Sequence, residues 1–232
     1  MSEIAFLRAR WQDLLLVTYA VPDALLADRL PPGMTFDRLP GYEDRALVSL
    51  VAFDFLETRV LGVPWPGFVD FPELNLRFYV RDAEGGTGKR GVCFVREYVP
   101  SSLVAGIART LYNEPYVGAD YVKDGADHVL DVGGREHRIG FERSGEPGTP
   151  PEDAVAHFLK EHEWGFGVTR GGSRLVYRVE HPVWRVWPAV EARLDVDFAL
   201  LYGEEWGFLN EQAPVSTVLA EGSAIAVFKP GR

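Results

Sequence analysis

The 232-residue sequence has very little cysteine and no long apolar segment, and each shortage excludes a class of protein. Cys93 is the single cysteine, so neither an internal disulfide nor a cysteine-based zinc cage can form. No run of about 18 apolar residues exists, and the N-terminus lacks a basic segment followed by an apolar stretch. We therefore expect neither a membrane span nor a secretory signal, and a cytoplasmic protein.

Motifs that bind common cofactors are also absent. The sequence has no GxGxxG after a strand, no Walker A motif, no GxSxG elbow and no HExxH pair. Dinucleotide cofactors, P-loop nucleotide hydrolysis and a metal centre are therefore disfavoured, and we expect no cofactor. The net charge of −10 repels phosphate backbones and anionic lipids, so neither nucleic acid nor a membrane is an expected partner.

Lysine is scarce although arginine is abundant. Only four of the 24 basic residues are lysines, at positions 89, 123, 160 and 229. Arginine stays protonated and cannot form an imine, so these four side chains are the only ones that could serve as a covalent amine nucleophile.

Glycine and proline, 24 and 16 residues, interrupt the chain at short intervals, which is typical of strands joined by tight turns. Apolar and polar residues alternate in 73–81 and 190–198, which predicts strands with one polar face each. Segment 46–53 is almost continuously apolar and predicts a strand buried on both faces. Asp54 follows it, either as an acid with a raised pKa or as the partner of an arginine.

Glycine pairs predict hairpins ahead of two further strands. They stand at 85–86 before a strand at 91–99, at 133–134, and at 171–172 before a strand at 174–181.

Helical patterns are few. Thr149, Pro150 and Glu152 fit the N-cap, N1 and N3 places of a capping box, and the helix after them would bury a stripe that ends at His162. A second helix is predicted after Pro100, over 103–111, with helical turns at 22–30 and 202–210. We expect one domain over 1–232, of α+β class and mainly antiparallel β, with a sheet or barrel and outer helices.

One predicted strand carries five polar residues on the same face: Glu73, Asn75, Arg77, Tyr79 and Arg81. This face lies either in solvent or along a polar barrel lumen. The sequence pattern leaves both alternatives open.

Two of the five histidines are predicted to point inward. His162 lies on the apolar stripe of its helix and His181 on the face of Tyr177, whereas His157 points elsewhere. Each inward imidazole is either a general base, a metal ligand or a buried ring satisfied by a backbone carbonyl, and no motif in the sequence supports a metal.

Several stretches resemble a known group of proteins. Residues 19–36, with DALL at 23–26 and LPPGM at 30–34, resemble the N-terminal signature of acetoacetate decarboxylase-like proteins. The likeness is greater to the uncharacterised YqjF-like branch of that superfamily, of DUF2071 type. It is carried by 63–67 (VPWPG), 71–77 (FPELNLR), 96–100 (REYVP), 112–116 (YNEPY), 161–165 (EHEWG), 180–184 (EHPVW) and 219–223 (LAEGS).

The resemblance implies a cone-shaped closed β-barrel or double sheet with an interior active site. In the decarboxylase a lysine forms an imine with a β-keto acid, and a neighbouring lysine lowers its pKa. The matching positions here are Ser101 and Ser102. Because a hydroxyl cannot form a cationic imine, we expect this chain not to be an imine-forming decarboxylase. Glu73 matches the family's pocket glutamate, and Gln12 lies closest to its pocket arginine.

Ser101 and Ser102 stand at a predicted helix N-terminus. They either cap that helix or, with its first amides, hold a carboxylate or another anion. Arg77 and Arg96 are the expected sources of positive charge.

The leading hypothesis is a small-molecule-binding barrel in which Glu73 acts as acid or base on an organic acid or carbonyl compound and Arg77 assists. The expected ligand-binding residues are Gln12, Arg96, Ser101, Ser102, His162 and His181.

The rival hypothesis is a non-catalytic ligand sensor or an assembly protein on the same scaffold. A third is a lysine enzyme that uses Lys123, because Lys160 is predicted on the polar side of its helix and the other two lysines lie in a hairpin and near the C-terminus. Whether the chain forms a homo-oligomer stays open.

Overall fold

The computed structural model describes residues 4–64, 68–83, 88–101, 115–169 and 171–228. Within these ranges the chain is mostly strand. The strands are β1 (Leu7–Val21), β2 (Met34–Phe36), β3 (Ala46–Val60), β4 (Val63–Pro64), β5 (Phe71–Asp82), β6 (Arg90–Val99), β7 (Tyr116–Gly118), β8 (Asp120–Asp124), β9 (Asp127–Val132), β10 (Arg135–Ser144), β11 (Trp164–Val168), β12 (Arg174–Glu180), β13 (Ala189–Asp195) and β14 (Ser216–Phe228).

The helices of the described ranges are short. Two are α-helical, α1 (Val155–Lys160) and α2 (Phe198–Tyr202), and three 3₁₀ helices span Asp23–Leu25, Ala27–Arg29 and Glu204–Asn210. These segments confirm the helical turns predicted near 22–30 and 202–210. No helix among the described residues is long and apolar enough to cross a membrane.

Ten strands form the larger sheet, in the order β2-β5-β3-β1-β14-β12-β11-β6-β7, with β4 paired to β3. Strand β5 also pairs with β6, so the path of strands returns on itself and forms a ring. Most pairings are antiparallel, and β6 pairs in parallel with β7 and β11. This arrangement confirms the predicted, mainly antiparallel class.

A second sheet, in the order β13-β10-β9-β8, covers part of the ring. Its residues Tyr121, Leu130 and Ile139 are buried in one apolar cluster with Leu74 and Phe78 of β5. Burial of these apolar side chains between the two sheets is the main stabilising contribution here.

Strand β5 is buried on both faces. Leu74, Leu76 and Phe78 point into the apolar cluster, whereas Glu73, at 3% exposure, and Asn75, at 2%, lie on the opposite face and are equally withdrawn from water. The polar face that the alternation revealed is therefore enclosed, and only at Arg81 does it become exposed.

Other strand predictions hold closely. Residues 46–53 of β3 are all buried, as their continuous apolar run predicts. The glycine pair at 133–134 forms the turn between β9 and β10, where both residues have positive φ. The pair at 171–172 separates β11 from β12. The pair at 85–86 lies outside the described residues.

The predicted capping box is wrong. Helix α1 begins at Val155, its N-cap is Ala154, and no side chain caps it. Pro150 precedes Pro151, and a residue before proline is sterically disfavoured from the α conformation, which disfavours a helix start at Pro150. The helix predicted over 103–111 lies outside the described residues.

The parallel pairing of β6 with β11 predicts a sensitive glycine. Gly91 faces Trp164, and an added Cβ would stand 2.2 Å from the Trp164 carbonyl oxygen. Since this contact is with backbone, Gly91→Ala should lower the free energy of unfolding by about 1 to 3 kcal/mol in urea denaturation. Gly148→Ala is the matched control, because its Cβ meets nothing within 4 Å. Equal stability of the two variants would contradict this packing.

Candidate functional site

A cavity of about 140 Å³ lies against the enclosed polar face of β5. Its size is close to that of an engineered apolar cavity of about 150 Å³ that binds benzene. Most of the wall is apolar and rich in aromatic rings, among them Trp11, Phe53, Phe55, Phe71, Phe94 and Trp184. The polar part of the wall consists of Glu73, Asn75, Arg77, Glu97, Tyr116, Lys160, His162 and His181. The cavity therefore has an apolar body and one charged region.

Glu73 is a fully buried acid of this wall with a strongly raised pKa. Its Oε1 accepts a hydrogen bond from Asn75 Nδ2 at 3.0 Å, and its Oε2 accepts one from the Tyr116 hydroxyl at 3.3 Å. Burial raises the pKa of Glu73 to about 7, although these hydrogen bonds and the charge of Arg77 act in the opposite direction. Both protonation states are therefore populated near neutral pH.

Arg77 connects β5 with the end of α1. Its Nη2 donates to the Leu159 carbonyl oxygen at 3.1 Å, and its guanidinium lies 5.7 Å from the centre of the Tyr79 ring. Carbonyl groups in the last turn of a helix lack intrahelical partners, so this bond satisfies one of them. Arg77 thereby holds α1 against the cavity.

Glu97 is a second buried carboxyl of the wall, and the sequence interpretation missed it. It stands opposite Asn75 in the β5–β6 register. Arg96, which was expected to contact the ligand, points to the other face, where it donates to the Tyr98 hydroxyl and the Leu201 carbonyl and does not line this cavity. Because side chains alternate along β6, Glu97 lies beside Asn75 and Arg96 points away from it.

His162 forms a pair with Asp37, which follows β2. The imidazole Nε2 lies 3.0 Å from Asp37 Oδ2, which also accepts a hydrogen bond from Arg90 Nε at 2.6 Å. Burial raises the pKa of Asp37, but the bonds from His162 and Arg90 outweigh it and keep that pKa low. The expected satisfaction of His162 by a backbone carbonyl is thus replaced by a carboxylate.

The His162 ring is neutral at physiological pH. Burial lowers its pKa to about 4, against the raising effect of Asp37. Because a carboxylate only accepts, Nε2 carries the proton and Nδ1 carries the lone pair. Among the described residues, Nδ1 has no hydrogen-bond partner. His162 also lies two residues beyond the end of α1, and not within the helix as predicted.

His181 lines the cavity on the side of β12. Its ring stacks on Trp184 at 4.0 Å with an angle of 18°, and Nδ1 lies 2.9 Å from the Pro182 carbonyl oxygen. Burial lowers the pKa of His181. This histidine is therefore part of an aromatic edge of the cavity.

Lys160 is placed differently from the prediction. Its side chain is 0% exposed, lines the cavity and forms an ion pair with Glu161. The predicted polar face assumed a longer helix. In the six-residue α1, the last three residues are all buried, because the chain turns directly into β11.

Two further predicted ligand residues, Gln12 and Ser101, do not line this cavity. Gln12 contacts Arg10 and Asp13, whereas its neighbour Trp11 is part of the wall. Ser101 is half-buried and is not part of the wall. Ser102 lies outside the described residues. Their proposed roles in ligand binding stay predictions.

Asp54 and Lys123 form a separate polar cluster. Lys123 Nζ lies 3.4 Å from Asp54 Oδ2 and 3.0 Å from His128 Nε2, and the Tyr121 hydroxyl is 2.7 Å from His128 Nδ1. The partner of Asp54 is thus a lysine and not the expected arginine, while burial still raises the pKa of Asp54. Lys123 does not line the cavity, and no metal-binding cluster of acids, histidines and cysteine exists within the described ranges.

Comparisons with known proteins agree with this fold. Residues 8–224 match the DUF2071 family, which is described as an uncharacterized conserved protein. The chain is 27% identical over 203 residues to the uncharacterized protein YqjF of Bacillus subtilis, covering 84% of this chain and 80% of that protein. This finding confirms the resemblance identified from the sequence motifs.

Two solved structures have similar folds at low identity. An acetoacetate decarboxylase from Legionella pneumophila superposes with a TM-score of 0.64 at 13% identity, covering 100% of this chain and 90% of its own. The enduracididine biosynthesis enzyme MppR, complexed with pyruvate, gives a TM-score of 0.59 at 14% identity, covering 100% and 91%. These likenesses show the fold alone.

The raised pKa of Glu73 predicts a pH-dependent stability. In the unfolded chain this carboxyl has a pKa of 4.5, whereas the folded protein keeps the proton until about pH 7. Between these values the unfolded state loses its proton first, so the free energy of unfolding falls as pH rises. Glu73→Gln removes this titration. The difference between its free energy of unfolding and that of the parent, measured by urea denaturation, should therefore shift in favour of the variant by about 2 to 3 kcal/mol from about pH 5 to about pH 8.

Glu73→Asp is the control for this experiment, because it keeps a carboxyl on the same enclosed strand face, one methylene closer to the backbone, and its stability should still fall as pH rises. Parallel pH profiles for the parent and Glu73→Gln would show that the carboxyl is not desolvated.

Proposed function

Because this chain belongs to the DUF2071 family and has the acetoacetate decarboxylase-like fold, we propose that its cavity binds a small organic acid or carbonyl compound. Glu73 is the group that transfers a proton to or from this ligand. A general acid or base is most effective when its pKa lies near the working pH, and the pKa of about 7 at Glu73 meets that condition. This buried carboxyl is the observation that carries the proposal.

The wall supports a ligand with an apolar body and a polar end. Aromatic rings such as Trp11, Phe94 and Trp184 form the larger part of the cavity, which has room for a molecule about as large as benzene. Arg77, buried beside Glu73, supplies the positive charge that a carboxylate or a polarised carbonyl oxygen requires. The arrangement suits a small acid or ketone better than a sugar or a phosphate.

His162 gives the site a second proton-transfer group. Its neutral ring presents a lone pair at Nδ1, and Asp37 holds the tautomer and the orientation of the ring. A base within hydrogen-bond reach of an orienting carboxylate is a recurrent catalytic arrangement. In this proposal, protonated Glu73 donates while His162 accepts.

The serines at 101 and 102 bear on the reaction type. Imine formation at those two positions, which the resemblance implies for the decarboxylase, is chemically impossible here because a hydroxyl has no nitrogen to contribute. The proposed chemistry is therefore acid–base catalysis by the carboxyl and imidazole groups of the cavity.

A non-catalytic ligand sensor is the second candidate, and the bonding of Arg77 favours it. Its guanidinium donates to the Leu159 carbonyl at the end of α1. A ligand that competes for this guanidinium would shift α1, and such a shift is a way to signal binding without turnover.

Ligand-induced melting shifts, measured with turnover, test the proposal. The panel contains acetate, pyruvate, acetoacetate and 2-oxobutanoate. A bound member at about a hundredfold excess over its Kd should raise the melting temperature of the parent by roughly 5 °C or more. Arg77→Ala should lose most of this shift, whereas Glu73→Gln should keep the shift and lose turnover.

Arg185→Ala is the control variant, because Arg185 forms an exposed ion pair with Glu221 and does not line the cavity. It should behave as the parent does. Shifts without turnover in the parent would favour the sensor, and the absence of any shift across the panel would reject both candidates.

A further inference from the structure

Lys160 is a fully buried cation on the wall of a ligand-sized cavity. Lysine side chains are almost never fully buried unless they are paired, and the bulk of this wall is apolar. Among the described residues, its ammonium has one carboxylate partner, Glu161, whose side chain is 16% exposed. An exposed ion pair would satisfy both charges with a smaller desolvation cost. The buried position of this amine is therefore set by the packing of α1 against the cavity, where a ligand can contact it.

The other described lysines are occupied elsewhere. Lys123 contacts Asp54 and His128 in the separate cluster, and Lys89 lies 3.9 Å above the ring of Trp164. Neither lines the cavity. Lys160 is thus the lysine that, among the described residues, shares the wall with Glu73 and Arg77.

We propose that Lys160 is an amine nucleophile that forms an imine with the carbonyl carbon of a ligand in this cavity. The inference rests on the proposed function, since it assigns the ligand to the aldehydes and ketones. It also adds a covalent step to the acid–base chemistry proposed above. The amine comes from the junction of α1 and β11 and not from the end of β6, where the serines stand.

The neighbouring groups balance the protons of this step. The ammonium of Lys160 gives a proton to the Glu161 carboxylate that it contacts, and the free amine adds to the carbonyl carbon. The resulting carbinolamine loses its oxygen as water, for which protonated Glu73 supplies a proton. The C=O bond is replaced by C=N, one water leaves, and no redox partner is needed.

The wall also narrows the ligand class. Aromatic rings surround the apolar body of the cavity, and Arg77 lies at its charged region. A 2-oxo acid with a short apolar substituent fits both features, because its carboxylate can face the guanidinium while its keto carbon faces Lys160. Because the cavity has room for a molecule about as large as benzene, we expect 2-oxobutanoate to be captured more efficiently than pyruvate.

Reductive trapping tests the inference. The folded protein is incubated with 2-oxobutanoate or pyruvate, treated with cyanoborohydride, and examined by intact mass and peptide mapping. Each probe should add its own mass less one oxygen atom, on the peptide that contains Lys160. Lys160→Arg keeps the charge opposite Glu161 but cannot form the imine, so its labelling should fall to that of a sample without probe.

Lys123→Arg is the matched control and should be labelled as fully as the parent. Labelling that persists in Lys160→Arg, or that maps to another lysine, would overturn the inference. If Lys160→Arg does not fold, as judged by circular dichroism, the peptide map of the parent still decides the labelled residue.

Melting shifts, recorded with the same two probes, separate the two proposals. A shift without any covalent adduct would overturn the role of Lys160 and leave the proposed binding function intact. Neither a shift nor an adduct would overturn both proposals for this class of ligand.

Discussion

The removal of the Glu73 carboxyl from water is the constraint on which the rest of the site depends. Strand β5 carries Glu73 on the face that the ring of strands encloses, while Leu74 and Leu76 of its other face pack into the core. A one-residue change of register would exchange these two sets, so the apolar core holds the acid in the cavity. Asn75 and Tyr116 then bind its two oxygens. The packing of the core and the raised pKa of Glu73 therefore both depend on strand β5.

The charged region around Glu73 is assembled from distant parts of the chain. Arg77 and the carboxyl share β5, Asp37 follows β2, and Lys160 and His162 flank the turn between α1 and β11. The two buried cations of this region have partners: Arg77 donates to the Leu159 carbonyl oxygen, and Lys160 forms an ion pair with Glu161. Such pairing offsets the desolvation of the charges. Burial keeps His162 neutral against the raising effect of Asp37, and its Nδ1 has no hydrogen-bond partner among the described residues.

Local periodicity predicted the strands well, because a period of two is visible within a few residues. Segments 46–53 and 73–81 were recognised in this way. Enclosure of the polar face depends on pairing between β5 and β6 and on the return of β14 to β1, which no local pattern reveals. The place of Glu73 in a pocket was predicted from the family resemblance. Glu97 was missed because the alternation of side chains along β6, which places Arg96 and Glu97 on opposite faces, was not considered. Lys160 was misplaced because the proline pair makes its helix shorter than predicted.

The titration of Glu73 in the folded protein tests this account most directly. With carbon-13 in the side-chain carboxyl of glutamate, the Glu73 resonance can be assigned by its loss in Glu73→Gln and followed by NMR across the pH range. The account predicts a midpoint of about 7. A midpoint near the ordinary value of 4.5 would show a hydrated carboxyl and contradict the enclosed site.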